Sequence, residues 1–285
     1  MASLRDVADR AKVSLATASR VLSGSDYPVA PELKAAVLSA AAALDYVPNA
    51  QAQTLIAGTN QAVGVLVGDV GDPYFSEILH GIHRVATPLN MLVTICSTAR
   101  DVDRELAYFR MLQSHRYGLV ILGGSGLDEP SYQAALAARI AAFESMGGRT
   151  ISIGNADVGG RRVLVDNRAG AAALAEYLVE LGHTAIGIAA GQANLTSTIH
   201  RIEGIRTVVE AAGGHVHVAH ALPDREGGRR AARQLLDQEP ALTAIVGTAD
   251  QLAIGALHWL QDQGIAVPDD VSVAGFNDIP AALDV

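Results

Sequence analysis

Ser14, Thr17, Ser19 and Arg20 set three hydroxyls and a guanidinium within seven residues, alongside Leu15 and the small Ala16. Such groups donate to phosphate oxygens and base edges, and small side chains at a helix start let its backbone approach a groove floor. A second chemistry lies in the turn Asp69-Val70-Gly71-Asp72-Pro73-Tyr74-Phe75, where two rings opening a helix can stack on or cover a small molecule. Hydrophobic packing remains the alternative, evenly balanced for Phe75. Ser125 at a strand end offers a hydroxyl or stands as a plain loop serine, and Asp166 and Asn167 follow another strand. Capping the next helix is the preferred reading for Asn167, and Asp166 suits either purpose. His215, His217 and His220 include an i, i+2 pair, but no cysteine or carboxylate stands nearby at ligand spacing, so no metal is expected. There is no Walker loop, no complete GxGxxG after the first strand and no nucleophile elbow, so neither nucleotide cofactor nor catalysis is expected.

The elements that must position these groups follow from periodicity. Leu4, Val7, Ala8 and Ala11 form one stripe of a short helix beginning near Ser3. Val13 turns inward and Ser14 caps a second helix, Leu15 to Leu22, whose Ala18, Val21 and Leu22 face back toward Val7 and Ala8. Gly24, Ser25, Asp26 and Pro28 break the chain, and Pro31 opens a third helix to about Leu44. From Ala62 onward strands and helices alternate. Strands 62–67, 91–95, 119–122 and 150–153 are separated by helices 74–87, 103–114 and 131–146. A second series runs through strands 162–165, 185–190, 215–219, 244–247 and 271–274, with helices 168–181, 197–212, 226–238 and 251–263 between them. Two α/β lobes with parallel sheets result, and the cleft beyond their strand ends is the expected ligand site.

Composition narrows the class. A chain of 285 residues, 49% of them hydrophobic, buries a large core and divides into more than one domain. The formal charge of −9 disfavours a general nucleic-acid coat. Through Asn60, five basic residues (Arg5, Arg10, Lys12, Arg20, Lys34) balance five acidic ones (Asp6, Asp9, Asp26, Glu32, Asp45). Affinity for DNA must therefore come from groove contacts, helix N-termini and avidity rather than from a basic patch. The single Cys96 gives no disulfide framework and reads as a buried structural thiol. No signal peptide and no apolar run long enough for a bilayer is found, so a cytoplasmic protein is expected.

With Leu4-Arg5-Asp6-Val7-Ala8, Val13-Ser14, Thr17-Ala18-Ser19-Arg20-Val21-Leu22, Tyr46-Val47-Pro48-Asn49 and Ala52-Gln53-Thr54-Leu55 in this order, the chain resembles the lac repressor family of bacterial transcription regulators. The likeness continues through Val163-Leu164-Val165-Asp166-Asn167, Arg201 with Gly204, Ala249-Asp250 to Gly255, and Val271 to Asp278. It implies an all-α helix-turn-helix head (1–47), a hinge helix and linker (48–60), and a two-lobed, periplasmic-binding-protein-like effector and dimerisation domain (61–285), with lobes of about 61–160 and 161–285. In such regulators the hinge folds only on operator DNA, where a leucine, here Leu55, wedges between base pairs of the minor groove. The resemblance assigns DNA contact to Ser14, Leu15, Ala16, Thr17, Ser19, Arg20, Asn49, Ala52, Gln53 and Leu55. It assigns effector contact to Asp72, Tyr74, Phe75, Ser125, Asp166, Arg201, Asp250 and Asn277, with Arg201 pointing its donors at ligand hydroxyls or carboxylates.

The chain also departs from the family pattern. Ala249-Asp250 stands where many members carry an asparagine before the aspartate, Asn277-Asp278 replaces two aspartates, and Pro223 replaces an aromatic. These changes weaken a sugar reading and leave the effector as a sugar or another metabolite. Lys12 occupies a turn position where members often have glycine; a positive φ there costs of order 1 kcal/mol. Members usually continue well past residue 278, so the resemblance implies a second lobe cut short at Val285. The expected function is a dimeric repressor of a pseudo-palindromic operator, controlled by a small molecule and without cofactor, metal, membrane or enzymatic role. The alternative is a solute-binding or sensor protein with a degenerate head.

Overall fold

The computed structural model describes residues 2–23, 27–47, 60–124, 126–154 and 158–285. They fall into two compact units, Met1–Asn60 and Gln61–Val285. The hinge expected at 48–60, with Asn49, Ala52, Gln53 and Leu55, lies outside the described residues except for Asn60, which opens a strand.

In the first unit, α1 (Leu4–Ala11) begins with a capping box. Ser3 Oγ accepts from the Asp6 amide at 3.3 Å and the Asp6 carboxylate accepts from the Ser3 amide at 2.7 Å. The Ser3 amide, and the Ser3 hydroxyl that also donates to Asp6 Oδ2 at 2.8 Å, hold the Asp6 carboxyl below its ordinary range. Lys12 ends the helix in the left-handed region, at φ 55°. Ser14 then caps α2 (Leu15–Leu22), its Oγ accepting from the Thr17 amide at 3.1 Å. Helix α3 (Pro31–Ala43) opens on proline, whose missing N–H is no loss in a first turn. Val7, Ala8, Ala18, Val37, Ala40 and Ala41 are buried between the three helices, with Val13, Val21, Leu22 and Leu44 packed around them. A core made mostly of alanine brings the helices close and leaves one face of α2 outward.

The second unit holds two parallel sheets. In the first, β1 (Asn60–Val67), α4 (Pro73–Ala86), β2 (Leu92–Ser97), α5 (Val102–Ser114), β3 (Tyr117–Gly123), α6 (Pro130–Ser145), β4 (Arg149–Ile153) and β5 (Arg161–Val163) give the spatial order β2-β1-β3-β4-β5. Apolar side chains of alternate parity pack on the two faces. Leu66, Val120 and Leu122 meet α5 and α6, whereas Val63, Val65 and Ile121 meet α4.

The second sheet is built from α7 (Asn167–Glu180), β6 (Ala185–Ala190), α8 (Thr196–Ala211), β7 (His215–His220), α9 (Arg225–Gln238), β8 (Ala244–Gly247), α10 (Asp250–Asp262) and β9 (Ser272–Ala274), in the order β7-β6-β8-β9. All six residues of β6 are buried, as a central strand covered on both faces requires. Helices α7 and α8 approach so closely at Gly204 that a side chain there would strike the Arg168 carbonyl.

One expectation needs correction. The strand read at 162–165 as opening the second lobe is Arg161–Val163, and it pairs with β4 as the fifth strand of the first sheet. Its three residues are all exposed, so burial does not tie it to either core, and alternation in so short a run cannot select its partner. The chain crosses to the second lobe only after it.

Candidate functional site

The residues of the first unit expected to read DNA lie on the outer side of α2. Ser14, Leu15, Ala16 and Arg20 are exposed, whereas Thr17 and Ser19 are half-buried. The Ser14 and Thr17 hydroxyls lie 2.9 Å apart, and Arg20 stacks over the Tyr27 ring at 4.3 Å from its centroid. Stacking fixes the plane of the guanidinium while leaving its N–H edge free to donate. Tyr27 is not among the residues expected from sequence; an aromatic seven positions after an arginine expected to contact DNA is the signal that could have found it.

In the second unit the strand ends of both sheets open on one cleft of about 1150 Å³ of empty space, its mouth included. Arg201, on α8, lies at its centre and is 7% exposed. Its Nε donates to Asn167 Oδ1 at 2.8 Å, its Nη1 donates to the Thr248 carbonyl, and its guanidinium lies 3.8 Å above the Phe276 ring. Among the described residues no carboxylate makes a salt bridge with it and Nη2 has no hydrogen-bond partner. Burial pulls its pKa down to about 10, although Tyr74 and Asp250 act against this. The group therefore stays charged at neutral pH, oriented by its neighbours but not neutralised by them.

Across the cleft the first lobe presents the start of α4. Asp72 caps that helix, accepting from the Tyr74 amide at 3.0 Å, and lies 3.5 Å from Arg100. Burial raises the Asp72 carboxyl above its ordinary value despite that amide and Arg100, and burial likewise raises Tyr74. Phe75 is 4% exposed and packs in the core of the first lobe while touching the cleft, edge-on to Tyr74. Asn277 lines the cleft at φ 117°, a strained conformation for a residue other than glycine.

The remaining expected residues sit elsewhere. Asp166 caps α7, accepting from the Ala169 amide at 3.0 Å, and does not line the cleft. Asp250 is buried beneath the cleft floor, where its carboxylate accepts from the Ile279 amide at 2.9 Å and Gly275 leaves room for it. Ser125 lies outside the described residues, although Gly124 and Gly126 beside it line the cleft. Conversely Asn167, preferred as a cap from sequence, is the buried partner of Arg201.

Sequence reasoning missed Arg100, Thr198, Thr248 and the inner wall of the first lobe. All but that wall follow strand ends, the signal that could have found them. At that wall Tyr132 donates to Glu105 Oε1 at 2.7 Å, burial raises the Glu105 carboxyl, and the buried Ser152 hydroxyl has no partner among the described residues. Pro223, Ala249 and Asn277, the three departures from the family pattern, all line the cleft.

The lobes are joined beside the cleft by main chain. The Asp128 amide donates to the Asn194 carbonyl at 2.8 Å, the Thr196 amide to the Gly126 carbonyl at 3.3 Å, and Leu127 bridges Leu195 in antiparallel fashion. Asn194 adds a side-chain bond to Glu129 at 2.8 Å.

Residues 3–49 match the family described as bacterial regulatory proteins, lacI family, and residues 60–284 match periplasmic binding proteins and sugar binding domain of LacI family. The chain is 31% identical to the ribose operon repressor of Halalkalibacterium halodurans, over 98% of this chain and 81% of that protein. It is also 31% identical to the regulator GalR of Escherichia coli, over 98% of this chain and 80% of that one. Against the repressor PurR of Haemophilus influenzae it is 30% identical, covering 99% and 83%. A Silicibacter pomeroyi regulator structure superposes with a TM-score of 0.84 at 26% identity, covering 100% of this chain and 85% of that one. The lac repressor dimer bound to operator and an anti-inducer gives 0.80 at 24%, covering 96% and 82%, which speaks for the fold. Among the described residues no helix is long and apolar enough to cross a membrane. Head, cleft and matches agree: the chain belongs to the lacI family of bacterial regulatory proteins.

Proposed function

We propose that this regulator is a cytoplasmic, non-enzymatic repressor that binds a pseudo-palindromic operator as a dimer, with α2 in the major groove and operator affinity set by a small polar metabolite in the cleft. Arg201 carries this reading. A buried guanidinium that is oriented by an amide, a carbonyl and a ring, yet forms no salt bridge with a carboxylate among the described residues, is arranged to receive carboxylate or hydroxyl oxygens from a guest. The relatives include a ribose operon repressor and a cellobiose-bound regulator. Here Pro223, Ala249 and Asn277 replace the aromatic and polar groups that favour a sugar ring, so an anionic or mixed polar and apolar metabolite suits this cleft better. Its walls supply both characters, with the charged Arg201, Asp72 and Arg100 and the apolar Leu66, Leu122 and Leu136. Dimerisation is supported by Val85, Leu89 and Leu92, large apolar side chains left exposed at the end of α4 and the start of the edge strand β2.

Binding to random duplexes, sequenced after selection with and without pooled metabolites, tests readout and control together. The expected product is a two-fold symmetric site whose recovery changes with one pool fraction. Enrichment of no sequence, or of a site indifferent to every pool, would overturn the proposal.

A further inference from the structure

β7 is the edge strand of the second sheet, and it pairs with β6 so that His215 lies beside Ala185 and His217 beside Gly187. Alternation along a strand sends these two imidazoles to one face. His220 has the opposite parity and its Nδ1 bonds the Gly191 carbonyl at 2.7 Å, at the cleft end of the strand. The pair His215 and His217 therefore belongs to the other end, remote from the effector site.

The fold brings to this pair a carboxylate that is distant in sequence. Glu239 closes α9, its amide donating to the Leu235 carbonyl at 2.9 Å. Its Oε1 accepts from the Ala241 amide at 3.2 Å, which fixes the carboxylate plane and turns Oε2 toward both rings. Oε2 lies 4.0 Å from His215 Nε2 and 3.9 Å from His217 Nε2. The rings stand edge to face, with centroids 5.5 Å apart, and the three ligand atoms lie within 4.8 Å of one another.

We propose that His215, His217 and Glu239 form a binding site for a borderline divalent cation, zinc above all, on the outer edge of the second lobe. Two imidazole nitrogens and one carboxylate oxygen suit zinc, whereas magnesium and calcium seek oxygen donors. Ligand atoms of a tetrahedral zinc site stand about 3.3 Å apart, given bonds of about 2.0–2.1 Å. Closing the site thus needs shifts of a few tenths of an ångström to about one ångström, within reach of side chains that are 56%, 35% and 29% exposed. The same exposure leaves the fourth position to water. The Ala241 amide orients the carboxylate as outer-shell donors do in built metal sites. A proton on one ring satisfies that ring and Glu239 alone; a divalent cation satisfies all three groups at once. Bound there, it ties the free edge of the sheet to the end of α9.

Calorimetric titration of the untagged full chain with zinc chloride tests the proposal. The expected result is one equivalent bound in the micromolar range, weakened at least about tenfold in His217→Ala and in Glu239→Gln and unchanged in His80→Ala, on the exposed face of α4. Zinc should also raise the melting temperature of the parent chain and not that of Glu239→Gln, which keeps its size and its Oε1 acceptor and so its fold. Absence of saturable binding, or equal affinity in parent and Glu239→Gln, would overturn it.

Discussion

Replacing Arg201 by methionine separates a residue kept for a ligand from one kept for the fold. Burial lowers the Arg201 pKa from its ordinary value to about 10. At about 1.4 kcal/mol per pH unit, holding that charge in the cleft costs the folded state on the order of 3 kcal/mol. The folded value is the lower one, so this cost is present in full at every pH below about 10. It is relieved only as pH rises from about 10 toward the ordinary arginine value, where the unfolded chain alone keeps the proton. Against it stand the bonds to Asn167 and to the Thr248 carbonyl, about 1.5 kcal/mol each for a charged donor, and the stacking on Phe276, about 1 kcal/mol. The opposing terms nearly cancel. Methionine fills similar volume and keeps a favourable sulfur contact with the ring, so Arg201→Met should lower stability at pH 7 by no more than about 2 kcal/mol, the surplus of the three contacts over the cost of burial together with about 1 kcal/mol for the buried Asn167 amide oxygen that loses its donor.

Urea unfolding followed by Trp259, the chain's single tryptophan, reports directly on the second lobe, because that side chain packs against its core. The same variant should lose any ligand-dependent rise in melting temperature that the parent chain shows in a metabolite screen. A loss of about 3–5 kcal/mol, the size expected when a buried ion pair is broken, would refute the argument by making Arg201 a structural element. A ligand response that survives in the variant would refute it equally.

Three further outcomes follow from the geometry. Arg20→Ala should weaken binding to the selected duplex about tenfold or more in a fluorescence anisotropy titration, since one groove-reading arginine contributes about 1–3 kcal/mol; unchanged affinity would remove α2 from the interface. Glu105→Gln should stabilise the second unit at neutral pH, because the raised carboxyl of Glu105 makes its ionised form costly there. That gain should shrink as pH falls and Glu105 takes up its proton, and a gain independent of pH would contradict the account. Lys12→Gly should stabilise the first unit by about 0.5–1 kcal/mol in thermal unfolding, the relief at φ 55° exceeding glycine's entropic penalty.

The head was legible from sequence because its signals are local. The stripe from Leu4 to Ala11, the Ser14 cap and Pro31 at a helix start each act within one or two turns. The alternating body was equally legible, with most boundaries shifting by only a residue or two. What sequence could not supply was placement in space. The exposed strand Arg161–Val163 has no burial signature to assign it to a sheet. Asp166 and Asn167 are adjacent and both suit caps; only the path of α8 past α7 decides that Asp166 closes the helix while Asn167 grips Arg201. Asp250 likewise turns from the cleft because the backbone of Ile279, far along the chain, comes to meet it. Glu239 is invisible as a neighbour of His217 for the same reason.

The join beside the cleft rests chiefly on peptide groups of Gly126, Asp128, Asn194 and Thr196, with the Asn194 amide and the Thr196 hydroxyl adding side-chain bonds. Peptide groups are common to every amino acid, and of the two donors only a proline would abolish its bond. Away from Gly126, whose φ of 72° favours glycine, side chains along that rim can therefore change without unfastening the main-chain bonds of the jaws. A lineage of such switches can exchange one metabolite for another while inheriting the same mechanical clasp.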